Sequence, residues 1–109
     1  MELIQELEKI TNLLNQAIPE LKKRGREYAK AYRDYRVELA KQLLVYKSQG
    51  CPVTLCSDLA RGVEDVANLK QLEIETESLY RSCLEAINVY KLQIKVIQEQ
   101  IKKEYGQEN

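Results

Sequence analysis

The stretch Ser48-Gln49-Gly50-Cys51-Pro52-Val53-Thr54 lies near the middle of the chain and separates two long periodic segments. Gly50 suits the position after a helix C-terminus, because that position needs a left-handed backbone. Pro52 lacks a backbone N–H and cannot continue the helix that precedes it. The stretch therefore predicts one helix on either side of a turn over residues 49–53.

The segment before the turn carries apolar side chains at alternating steps of three and four residues. Nine of its twelve stripe positions are apolar or aromatic, which predicts one helix over about residues 2–48 that buries one stripe along its length. Pro19 falls inside this helix, but the stripe keeps its register across it, which favours a kink. The alternative is a separate N-terminal helix that ends near Gln16. The stripe positions are Leu7, Thr11, Leu14, Ile18, Leu21, Gly25, Tyr28, Tyr32, Tyr35, Leu39, Gln42 and Tyr46.

The segment after the turn repeats the pattern and predicts a second helix over about residues 54–104. Nine of its eleven stripe positions are apolar or aromatic, and the exceptions, Glu73 and Thr76, predict a more polar stretch of packing. Gly62 is a candidate break, which would separate a short helix over residues 54–61 from the long one. The stripe positions are Val66, Leu69, Glu73, Thr76, Tyr80, Cys83, Ile87, Tyr90, Ile94, Ile97 and Ile101.

Two long helices joined by a short turn must fold back on each other. A helix of roughly 43 residues spans about 65 Å, and a short connection leaves only an antiparallel arrangement. Four glycines and two prolines are too few for the many turns of a β-sandwich or a barrel. We therefore expect one all-α domain over residues 1–109, a coiled-coil-like antiparallel helical hairpin, which gains a short third helix at the turn if Gly62 breaks the second helix.

The second helix carries more apolar side chains than one stripe needs. Val89, Leu92 and Val96 lie roughly opposite the stripe that faces the first helix. Exposed apolar stripes of this length usually mark an interface. We expect a homo-oligomer, most simply a dimer that forms a four-helix bundle through these three residues, although the same stripe could hold a different protein. The alternative is that the kink at Pro19 folds the N-terminal arm back onto this face.

Residues 22–36 contain seven basic residues and three tyrosines. Basic side chains neutralise phosphates and tyrosine rings stack on bases, so the stretch has the composition of a nucleic-acid-binding surface. If it binds nucleic acid, we expect the phosphate contacts to come from Lys22, Lys23, Arg26, Lys30 and Arg33.

The same stretch also has a purely structural interpretation, which we favour. Tyr28, Tyr32 and Tyr35 occupy stripe positions, so their rings should face the other helix. Residues 20–47 carry nine basic and four acidic residues, a net charge of +5, and residues 58–77 carry six acidic and two basic residues, a net charge of −4. A hairpin places these two segments side by side, so we expect their charges to pair across the hairpin or across a dimer.

The sequence lacks the residues that most enzymes use. It contains no His, no Gly-rich phosphate loop and no serine nucleophile elbow. Cys51 and Cys56 lie five residues apart, which is not a zinc-knuckle spacing, and no His completes a site. We therefore expect a protein that is not an enzyme, with no catalytic residue, no cofactor and no metal site.

The cysteine count and the N-terminus bear on the compartment. Cys51, Cys56 and Cys83 are an odd number, which favours reduced thiols in a cytosolic setting over a disulfide framework. The N-terminal residues MELIQELEKI are acidic and amphipathic, unlike a signal peptide, and no apolar run is long enough for a transmembrane helix. We expect a cytoplasmic protein that does not enter a membrane.

The segment from Gly50 to Gly62 resembles a group of small proteins encoded by phages and prophages of Gram-positive bacteria, in which two helices flank a Gly-x-Pro-x-Thr loop. Tyr28 and Tyr32–Tyr35 upstream and Glu77–Tyr80 downstream are also similar to that group. The resemblance implies a role in the host cytoplasm of an infected cell, near replication or recombination. The group has no established activity, and the resemblance transfers no catalytic residue. The loop positions concerned are Gly50, Pro52, Thr54, Asp58, Ala60, Arg61 and Gly62.

Two functions follow as hypotheses. The first is a non-enzymatic assembly or adaptor protein of phage type that works through helix–helix contacts with other protein chains. The second is a nucleic-acid-binding accessory factor of phage replication or recombination, which would use the basic residues 22–36.

Overall fold

The computed structural model describes residues 1–106, which form three α-helices and no β-strand. Helix α1 covers Glu2–Ser48, α2 covers Val53–Arg61 and α3 covers Glu64–Tyr105. The predicted all-α helical hairpin is therefore confirmed, and of the two alternatives at Gly62 the structure has the break that separates a short third helix.

The end of α1 has the hydrogen-bond pattern of a Schellman motif. Gly50 has a left-handed backbone with a φ of 83°. Its N–H donates to the Lys47 carbonyl at 3.0 Å, and the N–H of Cys51 donates to the Tyr46 carbonyl at 3.2 Å. These bonds satisfy carbonyl groups that the helix end would otherwise leave without a partner. Pro52 then precedes α2 as its N-cap residue, with a φ of −58° and a ψ of 144° and without a side-chain hydrogen bond to the helix.

A second break separates α2 from α3. The N–H of Gly62 donates to the carbonyls of Asp58 and Leu59, each at 3.2 Å, and so closes the last turn of α2. The first turn of α3 contains Glu64 and Asp65. Their carboxylates are favourable there because the N-terminus of a helix carries a partial positive charge.

Helix α1 continues through Pro19, so this segment does not form a separate N-terminal helix. The proline ring removes one backbone hydrogen bond and crowds the carbonyl of Asn15, at a cost of about 3 kcal/mol in a helix interior. Leu14 and Leu21, on either side, are both half-buried. Packing before and after Pro19 therefore keeps the segment helical in spite of that cost.

Helix packing divides the chain into two compact units. Unit 1 combines residues 1–23 of α1 with the part of α3 that begins at Tyr80, and the two segments run antiparallel. Ile87 and Ile97 of α3 are buried in this unit, with 4% and 3% of their surface exposed. The Cys83 thiol lies 3.7 Å from the Ala17 carbonyl and donates a weak hydrogen bond to it.

Unit 2 is the continuous segment of residues 24–79, which contains the end of α1, all of α2 and the start of α3. Its core joins Tyr35 and Leu39 of α1 to Ala60 of α2 and Val66 of α3, and the last two are fully buried. Further apolar side chains, which are only partly buried, pack around this core: Leu43, Tyr46, Val63 and Leu69.

The stripe predicted for α3 is confirmed, because all eleven positions are buried or half-buried. The stripe predicted for α1 is wrong at two positions, since Ile18 and Tyr32 are 41% and 47% exposed. Ala17 is half-buried and Ala31 is buried in their place. A step of three and a step of four both stay near the same face of a helix, so the helical period alone does not separate the tyrosine or isoleucine from the neighbouring alanine.

Candidate interaction surfaces

The first candidate surface lies on the side of α3 that faces away from α1 in unit 1. We call it the outer stripe. Val89, Leu92 and Val96 are 48%, 62% and 49% exposed there, whereas Ile87 and Ile97 are buried. The stripe also contains four exposed polar positions at the same alternating spacing, which are Ser82, Glu85, Glu99 and Lys103.

The N-terminal segment of α1 does not cover the outer stripe. It packs in unit 1 while Val89, Leu92 and Val96 stay exposed. The alternative in which a kink at Pro19 folds the N-terminal arm onto this face is therefore wrong. The three apolar side chains are available to another molecule.

A groove of about 500 Å³ lies beside the outer stripe, between the two helices of unit 1. Leu92, Val96 and Ile97 form its apolar wall on α3, and Ile10 contributes from α1. Polar side chains complete the lining: Glu6, Lys9, Gln93 and Gln100. The apolar surface therefore continues from the outer stripe toward α1 and is bordered by charged groups.

The second candidate surface holds the five predicted phosphate contacts, and all of them are exposed. Lys22 and Lys23 belong to unit 1, whereas Arg26, Lys30 and Arg33 belong to unit 2. Each unit is a separate compact body, so the five residues do not make up a single site of one unit. We call Arg26, Lys30 and Arg33 in unit 2, together with the exposed Arg36, the basic surface.

The Asp34 carboxylate lies beside two cations of the basic surface. The Lys30 ammonium is 2.7 Å from Oδ2 of Asp34, and Nη1 of Arg33 is 3.2 Å from its Oδ1. The hydrogen bond from Lys30 is the main cause that lowers the pKa of Asp34 below its ordinary value, and Arg33 adds to it. Lys30 and Arg33 therefore pair with Asp34 of their own helix rather than with the acidic residues 58–77, and Asp34 competes with any phosphate.

Tyr32 corrects the sequence interpretation of this region. It was expected to face the other helix, but 47% of its surface is exposed, next to Arg33 and one turn from Arg36. Tyr35 is buried as expected, at 8%, and Tyr28 is half-buried. The exposed Tyr32 ring adds an aromatic group to the basic surface, which was not expected because the residue had been assigned to the buried stripe.

The polar stretch predicted in the stripe of α3 is satisfied locally. Glu73 is only 6% exposed, and both of its carboxylate oxygens accept hydrogen bonds from the Lys70 ammonium, at 3.3 and 3.2 Å. The Thr76 hydroxyl donates to the Leu72 carbonyl at 2.8 Å. These hydrogen bonds lie within α3 and satisfy its polar side chains without the facing helix.

The thiols lie in structural positions. All three cysteines are unpaired, and the buried Cys56 thiol donates to the carbonyl of Cys51 at 3.1 Å. Burial, with a smaller effect of the neighbouring Cys56, raises the pKa of the Cys51 thiol.

Among residues 1–106 no group of three or more acidic or cysteine side chains is placed to hold a metal ion. No helix in the same range has both the length and the apolar content to cross a bilayer.

The fold and its surfaces define an all-α helical hairpin with an exposed apolar stripe on one unit and a basic surface on the other. No protein-family model matches the sequence, and neither a curated protein nor a solved structure matches it. The two surfaces of the chain itself are therefore the basis for its functional interpretation.

Proposed function

We propose that the protein is a non-enzymatic assembly protein that acts through helix–helix contacts, and that its outer stripe packs against a second copy of the chain. The observation that carries the proposal is the exposure of Val89, Leu92 and Val96 on the face of α3 opposite the buried Ile87. Three large apolar side chains at a spacing of three and four residues form a continuous surface. Such a surface is typical of a helix that meets a partner helix.

The size of this surface predicts a weak, concentration-dependent association. Complete burial of a valine or leucine side chain contributes roughly 1.5–3 kcal/mol. Roughly half of the surface of each of these exposed side chains is already covered in the single chain, so each contributes about 1 kcal/mol more in a dimer. The gain from both copies is comparable to the lower estimates of about 4–15 kcal/mol for the cost of association. We therefore expect an equilibrium between monomers and dimers.

The experiment that tests the proposal is sedimentation equilibrium over a wide range of protein concentrations. We expect the average mass to rise from that of one chain toward that of two. Leu92→Glu/Val96→Glu should remove the rise and leave the helical circular dichroism unchanged, because both side chains are exposed in the single chain. A wild-type mass that stays at one chain at every concentration would refute the proposal.

A matched control uses two apolar residues that are exposed elsewhere. Val37 and Leu44 of α1 are 40% and 68% exposed and lie in unit 2. Val37→Glu/Leu44→Glu introduces the same charge and removes similar apolar area. The association of this variant should equal that of the wild-type chain, and a loss of association here would move the interface to unit 2.

A second candidate function is nucleic-acid binding by the basic surface, and the exposed Tyr32 favours it. An exposed ring next to Arg33 and one turn from Arg36 can stack on a base while the two cations approach the phosphates. Asp34 opposes this function, since its carboxylate already pairs with Lys30 and Arg33. We keep nucleic-acid binding as the alternative for this reason.

The alternative is tested by titrating short single-stranded and double-stranded DNA at about 50 mM salt, where phosphate contacts are strongest. Asp34→Asn should tighten binding, because it releases two cations, and Tyr32→Ala should weaken binding to single strands. Tyr105→Ala is the control, since Tyr105 is also exposed but lies in unit 1. Absence of binding by both wild type and Asp34→Asn would eliminate this candidate.

The phage-type setting and the cytoplasmic location implied by the sequence stay predictions. Neither the assembly function nor the nucleic-acid alternative depends on them, because both are argued from exposed side chains.

A further inference from the structure

We infer that two copies of the chain pack through the outer stripe in an antiparallel orientation, with Glu85 of each copy opposite Lys103 of the other. This inference rests on the proposed self-association and adds the orientation and the register of the two helices. Its basis is the pattern of charges that surrounds the three apolar residues.

The outer stripe has the spacing of a helix–helix interface. Its positions follow one another at steps of three, four, three, four, three and four residues, and every one of them is exposed. All of them belong to unit 1. The apolar residues occupy the middle, an acidic residue lies on either side of them, and a lysine follows. The seven positions are Ser82, Glu85, Val89, Leu92, Val96, Glu99 and Lys103.

A parallel pair of helices would place identical residues opposite each other. Glu85 would then face Glu85, and Lys103 would face Lys103, at the two ends of the apolar contact. Like charges at such flanking positions are unfavourable and select against the orientation. The charges of the outer stripe therefore disfavour a parallel dimer.

An antiparallel pair has two registers that bring Leu92 opposite a valine of the second copy. In one register Leu92 faces Val89, and Glu85 is then opposite Val96, so that no lysine of the stripe faces a carboxylate. In the other register Leu92 faces Val96, and Glu85 is then opposite Lys103. Because the dimer is symmetric, this second register forms two Glu85–Lys103 pairs, one at each end of the contact.

The second register is also consistent with the position of Glu99. It places Glu99 of one copy opposite Val89 of the other, at the edge of the apolar contact, and one helical turn before its own Lys103. A carboxylate at this position can point along the helix toward Lys103 while its methylene groups cover the valine. The charged residues then enclose the apolar centre at both ends.

A charge-swap experiment tests orientation and register together. Glu85→Lys and Lys103→Glu each put like charges opposite each other in the antiparallel register, so each should raise the dimer dissociation constant about tenfold, since two exposed pairs are lost. The double variant Glu85→Lys/Lys103→Glu restores opposite charges and should return the constant to within about twofold of the wild-type value.

Lys102→Glu is the matched control. This substitution makes the same change of charge one residue away. The side chain of residue 102 is also exposed, but it points about 100° away from that of Lys103 around the helix. We expect its dissociation constant to equal that of the wild type. Circular dichroism of each variant checks that the end of α3 remains helical.

The outcomes separate this inference from the proposed function. If the wild-type chain does not associate, the proposed function fails. If it associates and Leu92→Glu/Val96→Glu abolishes the association, but the single charge variants and the double variant all match the wild type, the antiparallel register is overturned and the parallel orientation is supported. Weakening by both single changes with recovery in the double variant supports the antiparallel register.

Discussion

The ammonium group of Lys70 lies 4.8 Å from the centre of the Tyr35 ring, on the other long helix of unit 2. The same ammonium is 3.2 Å from Oε2 of Glu73, which is almost completely buried. A single cation therefore covers a buried aromatic ring and neutralises the acidic residue in the stripe of α3. This arrangement explains how a carboxylate is tolerated where the two helices meet.

We predict that Lys70→Met lowers the free energy of unfolding by about 1–3 kcal/mol, because the Glu73 carboxylate is then buried without a cation. Lys70→Met/Glu73→Leu should recover most of this loss, since an apolar pair needs no compensation. Urea denaturation measures both. Lys91→Met, at an exposed position of the same helix, should change stability by less than about 0.5 kcal/mol. Equal losses for the two lysine variants would contradict the role of Lys70.

The core of unit 2 should be sensitive to the loss of apolar volume. Val66 is fully buried, with 0% of its surface accessible to solvent, whereas Val45 is 45% accessible. Val66→Ala should therefore lower the free energy of unfolding by about 1–3 kcal/mol, and Val45→Ala by less than about 0.5 kcal/mol. Thermal and urea denaturation check the difference. Similar losses of stability in the two variants would contradict the contribution of Val66 to the core.

Removal of the proline inside α1 should stabilise the protein. Pro19→Ala restores a backbone N–H and removes the contact between the ring and the Asn15 carbonyl, so we expect a gain of about 1–3 kcal/mol in the free energy of unfolding. Gln16→Ala, at an exposed position one turn earlier, should gain less than about 0.5 kcal/mol. A loss of stability in Pro19→Ala would mean that the packing of unit 1 requires the backbone shape that proline imposes.

The pKa of Asp34 should depend on Lys30. Lys30→Gln removes the main hydrogen bond to the carboxylate, so the lowered pKa of Asp34 should rise toward its ordinary value. In the wild type the ion pair stabilises the fold above the ordinary carboxyl pKa, and this contribution is lost as the pH falls through the lowered pKa. NMR titration of the Asp34 carboxyl carbon measures the shift. Lys23→Gln, in unit 1, should leave it unchanged.

The Cys51 thiol should react slowly with alkylating reagents near pH 8. Burial and the adjacent Cys56 raise its pKa, so less of it is present as the reactive thiolate. Cys56→Ala removes the second of these causes and should increase the alkylation rate of Cys51. Mass spectrometry of the peptide that contains residue 51 gives both rates. A rate for Cys51 in the wild type that equals that of a free cysteine would contradict this expectation.

The sequence predicted the elements of the fold from local patterns. Gly50 and Pro52 indicated the turn, because a left-handed residue and a missing N–H end a helix wherever they occur. Gly62 was a candidate break that the sequence left open, and α2 ends beside it at Arg61. The outward position of Val89, Leu92 and Val96 followed from the helical period alone, and these side chains are exposed in the structure.

The predictions failed where two neighbouring residues fit the helical period equally well. Tyr32 was expected inside and lies outside, and Ala31 lies inside. The period cannot separate a step of three from a step of four, because both return to nearly the same face. The ion pairs of Asp34 with Lys30 and Arg33 also differ from the expectation. The basic residues were expected to pair with acidic residues of the facing helix, but these two pair with a carboxylate of their own helix.

Sequence alone determined the two long helices, the turn between them and the stripe of α3, because hydrogen bonding along the backbone and the period of 3.6 residues act over a few neighbouring residues. Tertiary structure decided that Ala31 rather than Tyr32 faces the core, and that Lys70 lies over Tyr35 beside Glu73. These choices depend on the distance between two helices that are far apart in the chain, and side-chain packing across that distance sets them.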